Sequence, residues 1–234
     1  MKLNQYIPNK LTIFFRRIYF YIFGEKFYKK LNYDWHQHQN RFEIINKIIE
    51  LKEYKTYLEI GCQADINFSK IQIDKRIGVD PHDGGTHRMT SDDFFKNNNE
   101  KFDIIFIDGL HEYEQVIKDI KNSVKFLSNN GMIILHDCLP SKIWHQTIPQ
   151  SHSSWNGDVW KAIVECRTFE NLDTYTCVAD QGLGIIFNRK NKNLLKIKIK
   201  KFKNLSFKSY YENHKQYMNI ISEDYLFKLI ENKD

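Results

Sequence analysis

The chain has 234 residues, of which 41% are hydrophobic and 15% aromatic, a composition that indicates a folded protein and argues against disorder. This length suffices for one well-buried domain with terminal extensions and leaves too little for a second full domain. The four cysteines have no paired spacing, which argues against a disulfide framework and a zinc cluster and favours a reducing, cytoplasmic location.

The net charge of +6 is uneven, because lysines crowd residues 190–208. Such a run suits contact with phosphate or with an anionic membrane. A solvated edge of the fold explains the same run more simply, since charged surface segments are common. We assign residues 191–234 to a basic C-terminal extension and predict a final helix over 210–229.

Residues 1–50 are predicted to form an N-terminal helical extension, because apolar residues recur at three- and four-residue steps over 42–49. An apolar run over 11–23 is interrupted by two arginines and has no small-residue cleavage site. It therefore fits neither a signal peptide nor a spanning helix, which needs ~20 apolar residues. The aromatic, basic segment 11–30 has two interpretations: peripheral contact with the inner membrane face, or packing against the core or a second subunit of a homo-oligomer.

Short apolar, β-prone runs alternate with longer amphipathic ones through residues 51–190, as expected of a parallel sheet with helices on both faces. The predicted strands are 56–60, 77–80, 104–108, 132–136, 174–178 and 183–188. Only residues 179–182 separate the last two, too few for a crossover helix, so these strands should form an antiparallel hairpin. Residues 51–190 are thus predicted to form one α/β domain of doubly wound, mostly parallel topology.

The ends of the first two predicted strands carry residues that suit a nucleoside ligand. In an open parallel sheet a ligand lies beyond the carboxyl ends of the strands, at the switch point beside the first strand. Glu59, Gly61 and Cys62 end that strand and begin its turn, where a glycine lets the backbone pass close to a ligand. Asp80 ends the next strand and suits a carboxylate that accepts hydrogen bonds from ribose hydroxyls. An ordinary strand followed by a turn is the alternative interpretation.

Five segments are informative together: EIGC at 59–62, GVDP at 78–81, MTSDDFF at 89–95, FDIIFIDGLH at 102–111 and GMIILHD at 131–137. They resemble bacterial class I S-adenosylmethionine-dependent methyltransferases, closest to the sugar and small-molecule O-methyltransferases of glycan and antibiotic pathways. The resemblance covers about residues 55–188. It implies a seven-stranded, Rossmann-like methyltransferase sheet with a terminal antiparallel hairpin, and S-adenosylmethionine as the cofactor.

The residues that this resemblance assigns to the cofactor are Glu59, Gly61, Cys62, Asp80, Ser91, Asp92 and Asp108. Ser91 and Asp92 would lie near the adenine, whose amino group needs an acceptor, although a helix N-cap followed by acidic residues explains them equally well. One departure is Asp65, where the family's glycine-rich turn has a second glycine. Either the turn is built differently or cofactor binding is weakened; we expect the former, because Asp tolerates left-handed conformations.

Methyl transfer to a hydroxyl requires an acceptor that is held in line with the methyl group and relieved of its proton. Asp108 and His111 lie in a DGLH segment just past a predicted strand, and metal-assisted relatives with D-G-x-H at this place are thought to use its histidine as the base. We predict that His111 is the catalytic base, since histidine titrates near neutral pH. A loop histidine that caps the following helix is the alternative.

His136 and Asp137 end the GMIILHD segment, the last of the five segments above. At this place metal-dependent relatives carry two acidic residues that bind magnesium together with the Asp of D-G-x-H. Asp108 and Asp137 are accordingly predicted to hold a divalent ion, with His136 as a further metal ligand and catalytic candidate. Oxygen ligands favour Mg²⁺, whereas an imidazole shifts the preference towards Mn²⁺ or another transition metal. Without a metal, the two carboxylates would orient the substrate or His111.

Trp155, Asp158 and Trp160 follow a loop rich in His, Ser and Pro. We predict that they bind a sugar or another small-molecule substrate, because aromatic rings beside polar groups suit stacking on a sugar ring. Structural roles compete with this prediction. Trp160 would be part of the core in an amphipathic helix over 159–166, and Asp158 would cap that helix.

These motifs predict an enzyme that O-methylates a sugar or other small molecule in glycan or secondary-metabolite biosynthesis. A nucleic-acid methyltransferase is one alternative, because the chain is basic. However, DGLH stands where amino-methylating DNA enzymes carry D/N-P-P-Y/F, so no nucleic-acid partner is expected. A non-catalytic cofactor-binding partner in a glycan assembly complex is the other alternative. The lack of G-x-G-x-x-G argues against a nicotinamide dehydrogenase.

Overall fold

A computed structural model describes residues 8–231, which form one seven-stranded sheet with helices on both faces. The strands are β1 (Thr56–Ile60), β2 (Lys75–Val79), β3 (Phe102–Ile107), β4 (Leu127–Leu135), β5 (Asp173–Cys177), β6 (Leu183–Phe187) and β7 (Ile220–Ile221). The helices are α1 (Lys10–Phe23), α2 (Arg41–Lys52), α3 (Ser91–Asn97), α4 (Tyr113–Phe126), α5 (Val159–Cys166), α6 (Phe207–Met218) and α7 (Glu223–Glu231).

The strands lie in the order β2-β1-β3-β4-β6-β5-β7. β1 pairs in parallel with β2 and β3, and β3 pairs in parallel with β4, whereas β6 runs antiparallel to both β4 and β5. The predicted doubly wound, mostly parallel sheet with a terminal hairpin is therefore confirmed. The chain leaves β1 for β2 and later returns to the other side of β1 as β3, which places the switch point between β1 and β3.

Alternate residues of the central strands pack into two apolar layers, one on each face of the sheet. In β3, Ile105 and Ile107 belong to the layer that contains α4 and α5, while Ile104 and Phe106 belong to the layer that contains α2 and α7. All four side chains are buried. A strand covered on both faces needs such a continuous apolar run. This packing fixes the strand ends that carry the site.

The N-terminal extension is two helices with a largely extended segment between them. Residues 24–40 separate α1 from α2 and contain only a 3-10 turn at Trp35–Gln37. Phe27 and Leu31 from this segment pack against the core, and the backbone N of Leu31 donates to the carbonyl of Ser141 at 2.8 Å. These spaced anchors keep the segment along the core, so the prediction of continuous helix was wrong here.

The C-terminal extension also differs from its prediction. The single helix expected over 210–229 is two helices, because Asn219 adopts a left-handed conformation with φ 48° and ends α6. The next residues form the unpredicted edge strand β7. The parts of the predicted extensions at 1–7 and 232–234 lie outside the described residues. Within the described range, each helix is too short or too polar to cross a lipid bilayer.

Candidate active site

Polar side chains meet at the carboxyl ends of the parallel strands. Asp108 follows β3 directly, and His136 and Asp137 follow β4. Asp180 lies in the turn between β5 and β6, and Arg41 is the first residue of α2. The sheet thus gathers charged groups from distant parts of the chain at one edge.

His111 lies between two carboxylates. Its Nε2 is 3.2 Å from Oδ1 of Asp108, and its Nδ1 is 3.3 Å from Oδ2 of Asp137. The ring of Trp155 stacks on the imidazole, with a centroid distance of 5.3 Å and an interplanar angle of 27°. One ligand atom from each of Asp108, His111 and Asp137 lies within 4.8 Å of the other two. This spacing suits a shared divalent ion, because ligands at ~2.0–2.6 Å from an ion lie roughly 3–5 Å apart.

His136 lies against the same two carboxylates. Its Nδ1 is 3.3 Å from Oδ1 of Asp108 and 3.2 Å from Oδ2 of Asp137, yet it makes no hydrogen bond of adequate geometry. The side chain is 5% exposed. A buried nitrogen without a hydrogen bond is destabilising, and an ion between the carboxylates would give it a partner. The side chains at this site therefore fit the predicted metal ion. The histidine that lies within ligand distance of both carboxylates in the three-residue group is His111, whereas the sequence predicted His136.

An ion pair between Arg41 and Asp180, which the sequence did not reveal, lies beside the histidines at the start of α2. The backbone N and Nη1 of Arg41 donate to Oδ2 of Asp180 at 3.0 and 2.9 Å. The same Nη1 lies 3.3 Å from Nε2 of His136. Asn156, also missed from sequence, donates from Nδ2 to Oδ1 of Asp137 at 2.7 Å. Arg41, Asp180 and Asn156 thus position the histidines and carboxylates.

The charges of the cluster shift the pKa values of its members. Burial raises the pKa of Asp108, but the neighbouring His136 and His111 outweigh burial and hold it well below its usual range. Burial lowers the pKa of both histidines, while the charges of Asp137 and Asp108 outweigh it, so the pKa of His111 is raised and that of His136 lies well above its usual value. The histidines therefore favour the protonated form, and a metal ion that uses them as ligands must displace protons.

Gly61 joins the turn after β1 to this cluster. Its φ is +88°, and a Cβ at this position would lie 2.3 Å from the backbone oxygen of Asp108. Only glycine fits such a contact. Cys62 is buried next to it, so the predicted cofactor residues Gly61, Cys62 and Asp108 lie together at the switch point. The glycine is required here by the approach of the turn to the residues after β3, and its contact with the cofactor stays a prediction.

Asp80 directly follows β2, which ends one residue earlier than predicted, and its carboxylate is already fully hydrogen-bonded. Oδ2 accepts from the backbone N of Cys62 and Gln63, at 3.1 and 3.0 Å. Oδ1 accepts from the backbone N of His82 and Asp83, at 2.8 and 3.0 Å. An ionised carboxylate offers about four acceptor sites. The predicted ribose contact of Asp80 therefore requires some of these bonds to be exchanged.

Asp65 builds the turn differently from a glycine-rich one. It adopts a left-handed conformation with φ 59°, and its Oδ1 accepts from the backbone N of Gly85 at 2.7 Å. The adjacent Gly84 has no room for a side chain, because a Cβ there would lie 2.0 Å from the backbone oxygen of Gln63. The departure at Asp65 thus ties the turn after β1 to the loop after β2.

Glu59 lies on the same face of β1 as Tyr57, which belongs to the layer that contains α2 and α7. It is 1% exposed, and its Oε2 accepts hydrogen bonds from Tyr57 and Asn67. Burial is the main cause that raises the pKa of Glu59 to about 7, against the lowering effect of both hydrogen bonds. Its Oε2 is thus already hydrogen-bonded within the protein, and its contact with the cofactor stays a prediction.

The raised pKa makes Glu59 a source of pH-dependent stability. The folded protein holds a proton on Glu59 up to about pH 7, whereas the unfolded chain loses it near pH ~4.3. The stabilisation from this proton is complete below the unfolded pKa and is lost as pH rises through the folded pKa. We expect the Glu59 contribution to the free energy of unfolding to fall by roughly 2 kcal/mol between pH 5 and 8.

Urea unfolding at both pH values tests this expectation. Glu59→Gln keeps an oxygen acceptor and stays neutral, so its stability should fall less over this range than that of the wild type. Glu50→Gln, at an exposed position of α2, is the matched control and should behave as the wild type. Equal pH dependence in all three proteins would contradict the role of Glu59.

Ser91 and Asp92 occupy the first turn of α3, and Thr90 is its N-cap. The side chain of Gln115 in α4 donates to Oγ of Ser91 at 3.2 Å and to Oδ1 of Asp92 at 3.3 Å. Both residues therefore tie α3 to α4 in the described structure. Their predicted contact with adenine stays a prediction, and the helix cap lies one residue earlier than the sequence suggested.

The three predicted substrate residues occupy different environments. Trp155 is partly exposed beside His111. Oδ1 of Asp158 accepts from the backbone N of Tyr113 at 2.6 Å, so it satisfies the start of α4 instead of capping α5. Trp160 is fully buried and packs on Tyr210 at 4.8 Å between ring centroids. Its place in the core leaves no surface for substrate, so that prediction is corrected.

A cavity of about 520 Å³ lies beside the start of α4. It is lined by Glu112, Asp158 and Lys161 from the side of the site, and by Phe20 and Lys203 from the two chain extensions. Its mixed charge and its size suit a small polar molecule.

The family model described as a methyltransferase domain matches residues 33–138. Solved structures with a similar fold include the SAH-bound methyltransferase PaMTH1 of Podospora anserina, which is 13% identical, with a TM-score of 0.49 over 65% of this chain and 78% of that one. The SAH-bound O-methyltransferase of Bacillus cereus is 10% identical, with a TM-score of 0.47 over 62% and 79%. TomG of Streptomyces achromogenes, solved with SAM, is 10% identical, with a TM-score of 0.47 over 64% and 79%.

No curated protein matches the sequence. With identities of 10–13% and TM-scores below 0.5, these structures carry no conclusion about this chain. The family model, however, covers the cofactor turn, Asp80 and the Asp108–Asp137 cluster. The chain therefore contains a segment, residues 33–138, that matches a methyltransferase domain, and strands β1 to β4 with the switch-point turn lie within that segment.

Proposed function

We propose that the enzyme transfers the methyl group of S-adenosylmethionine to a hydroxyl of a sugar or another small molecule, in glycan or secondary-metabolite biosynthesis in the cytoplasm. The observation that carries this proposal is the pair of carboxylates on either side of His111, directly beside Gly61 of the cofactor turn. This arrangement supports a proton acceptor next to the predicted position of the sulfonium.

The side chains of the candidate site have separate roles in the methyl transfer. His111 takes the proton of the acceptor hydroxyl while the acceptor oxygen forms a bond to the methyl carbon and the sulfur–carbon bond breaks. Asp108 and Asp137 lie at the two ring nitrogens; one of them accepts the N–H of the neutral imidazole, and the acceptor hydroxyl takes the place of the other at the unprotonated nitrogen. Both carboxylates stabilise the imidazolium that forms. Trp155 covers one face of the imidazole and offers an aromatic surface to the acceptor.

Asp108, Asp137 and His111 are the residues that would hold a divalent ion, with His136 next to them. Such an ion, when bound, lowers the pKa of a hydroxyl that contacts it. Oxygen ligands with one or two imidazoles favour Mn²⁺ over Mg²⁺. His111 would then either bind the ion as its third protein ligand or accept the proton of the hydroxyl. The pH dependence of the activity distinguishes these two roles.

Calorimetric titration with S-adenosylhomocysteine, with and without Mn²⁺ or Mg²⁺, tests the proposal. We expect the nucleoside to bind the wild type, and Mn²⁺ to bind by itself with release of protons. Asp137→Asn should lose the metal signal and keep nucleoside binding, while Asp74→Asn, at an exposed position, should keep both. If S-adenosylhomocysteine does not bind, the enzymatic proposal is overturned. If S-adenosylhomocysteine binds but neither metal ion does, the result favours a mechanism in which His111 acts without a metal.

A further inference from the structure

Helix α1 presents apolar side chains to solvent instead of to the core. None of its residues is buried. Its exposed large side chains are Leu11 at 62%, Phe14 at 56%, Phe15 at 59%, Ile18 at 41%, Tyr19 at 57%, Tyr21 at 62%, Ile22 at 54% and Phe23 at 72%. Leu11, Ile18 and Ile22 share the centre of one helical face, since residues three, four and seven apart lie on the same side.

The opposite side of α1 rests on the protein. Ile13, Arg16 and Phe20 are only partly exposed, Nη1 of Arg16 donates to the backbone oxygen of Gln150 at 3.3 Å, and Phe20 lines the cavity beside α4. α1 is thus attached by its narrower side and turns its wider, apolar side outward. An apolar surface of this extent on a folded protein usually marks an interaction site.

The charge around this surface is positive. The exposed basic residues on α1 and directly after it are Lys10, Arg17, Lys26, Lys29 and Lys30. Residues 1–24 contain no Asp or Glu. The next acid, Glu25, accepts from the backbone N of Phe207 and Lys208, each at 2.7 Å. It therefore serves the start of α6 and is turned away from the basic surface.

The lysine-rich segment has a row of exposed basic residues of its own. Lys196, Lys198 and Lys200 are exposed, while the alternate residues Ile197 and Ile199 pack against the core. The segment ends at 203–206, which line the same cavity as Phe20 and Gly24 at the end of α1. The end of the lysine-rich segment thus lies beside the attached side of α1.

We propose that α1 lies in the headgroup region of an anionic lipid bilayer, with Leu11, Ile18 and Ile22 inserted and the basic residues on the lipid phosphates. Interfacial helices combine an apolar face with lysines and arginines in this way. Tyr19 and Tyr21 at the sides of the apolar face suit the boundary between lipid and water, where tyrosine is enriched. This inference does not depend on the proposed reaction.

A second copy of the chain is a poorer occupant of this surface. A helix of 14 residues is about 21 Å long, and one side of it falls short of the ~800 Å² that each partner of a stable interface contributes. Two copies would also bring their basic residues together, which repel each other. A bilayer avoids both difficulties, because its surface is extended and negatively charged.

Vesicle flotation of the full chain tests the proposal. We expect the protein to float with vesicles of equimolar phosphatidylcholine and phosphatidylglycerol at low salt, and to bind phosphatidylcholine alone weakly. Ile18→Glu/Ile22→Glu should abolish flotation. Lys10→Ala should weaken binding about fivefold, the factor expected for one basic residue near an anionic surface.

A control variant separates membrane contact from a general effect of added charge. Leu51→Glu/Tyr225→Glu adds the same charge at exposed apolar positions of α2 and α7 and should float as the wild type does. Thermal unfolding shows whether each variant is folded. Wild type that stays unbound with anionic vesicles would overturn the proposal, and so would a wild-type dimer in solution that Ile18→Glu/Ile22→Glu converts to monomer without any vesicle binding.

Discussion

His111→Ala is expected to lower kcat by about 10²- to 10⁴-fold, the usual contribution of a general base, and to leave the affinity for S-adenosylhomocysteine unchanged. His111 contacts Asp108 and Asp137 through its two ring nitrogens, and the described contacts of the imidazole are with this cluster and with Trp155. Activity with an acceptor that the wild type methylates, together with calorimetry, measures the two quantities. His36→Ala, at an exposed position, is the control.

The pH profile gives an independent check of this role. A base must be unprotonated before it acts, and the charges of Asp137 and Asp108 raise the pKa of His111 against the effect of burial. Wild-type kcat/KM should therefore increase with pH through a value above the ordinary ~6.5 of histidine. Parallel loss of activity and nucleoside affinity in His111→Ala would instead assign His111 a structural role.

Gly61→Ala is expected to remove most cofactor binding and to destabilise the fold by about 1–3 kcal/mol, the usual cost of a non-glycine residue in a strained conformation. The new Cβ would lie 2.3 Å from the backbone oxygen of Asp108 and 2.5 Å from Cα of Gly109. The turn after β1 must then move away from β3. A movement that costs the bound state only ~1.4 kcal/mol already lowers affinity tenfold.

Gly109→Ala is a matched control from the same contact. A Cβ at Gly109 would meet its nearest neighbour, Cγ2 of Ile60, at 3.4 Å, an ordinary contact distance. Its affinity for S-adenosylhomocysteine and its unfolding free energy should stay near those of the wild type. Similar losses in Gly109→Ala and Gly61→Ala would show that any added methyl group, and not the geometry at Gly61, is responsible.

The sequence predicted the parts of the site that lie close together along the chain. Asp108 and His111 belong to one segment, and His136 and Asp137 follow the neighbouring strand. Once the order of the strands is predicted, these four residues are expected to lie close together. Trp155 came from local composition alone, and the structure places it beside His111. The parallel sheet was predictable for the same reason, because apolar periodicity is a local property.

Contacts that depend on packing between distant segments were not predictable. Arg41 reaches Asp180 because α2 packs under the sheet beside the hairpin turn, and no motif links the two residues. Trp160 was assigned to the substrate site because it follows a polar loop. An aromatic residue at such a position suits a buried core equally well. Its helix turns it toward Tyr210, and only the packing of α6 decides between the two roles.

Asp80 also has a consequence for cofactor exchange. Its carboxylate accepts four backbone hydrogen bonds, from Cys62, Gln63, His82 and Asp83, and hydrogen bonds to a charged group are worth about 1.5–3 kcal/mol each. A ribose that binds Asp80 must compete with the protein's own amides. If the cofactor binds Asp80 as predicted, these amides would oppose S-adenosylmethionine and S-adenosylhomocysteine alike, because both carry the same ribose, and re-forming the four bonds would favour release of the product.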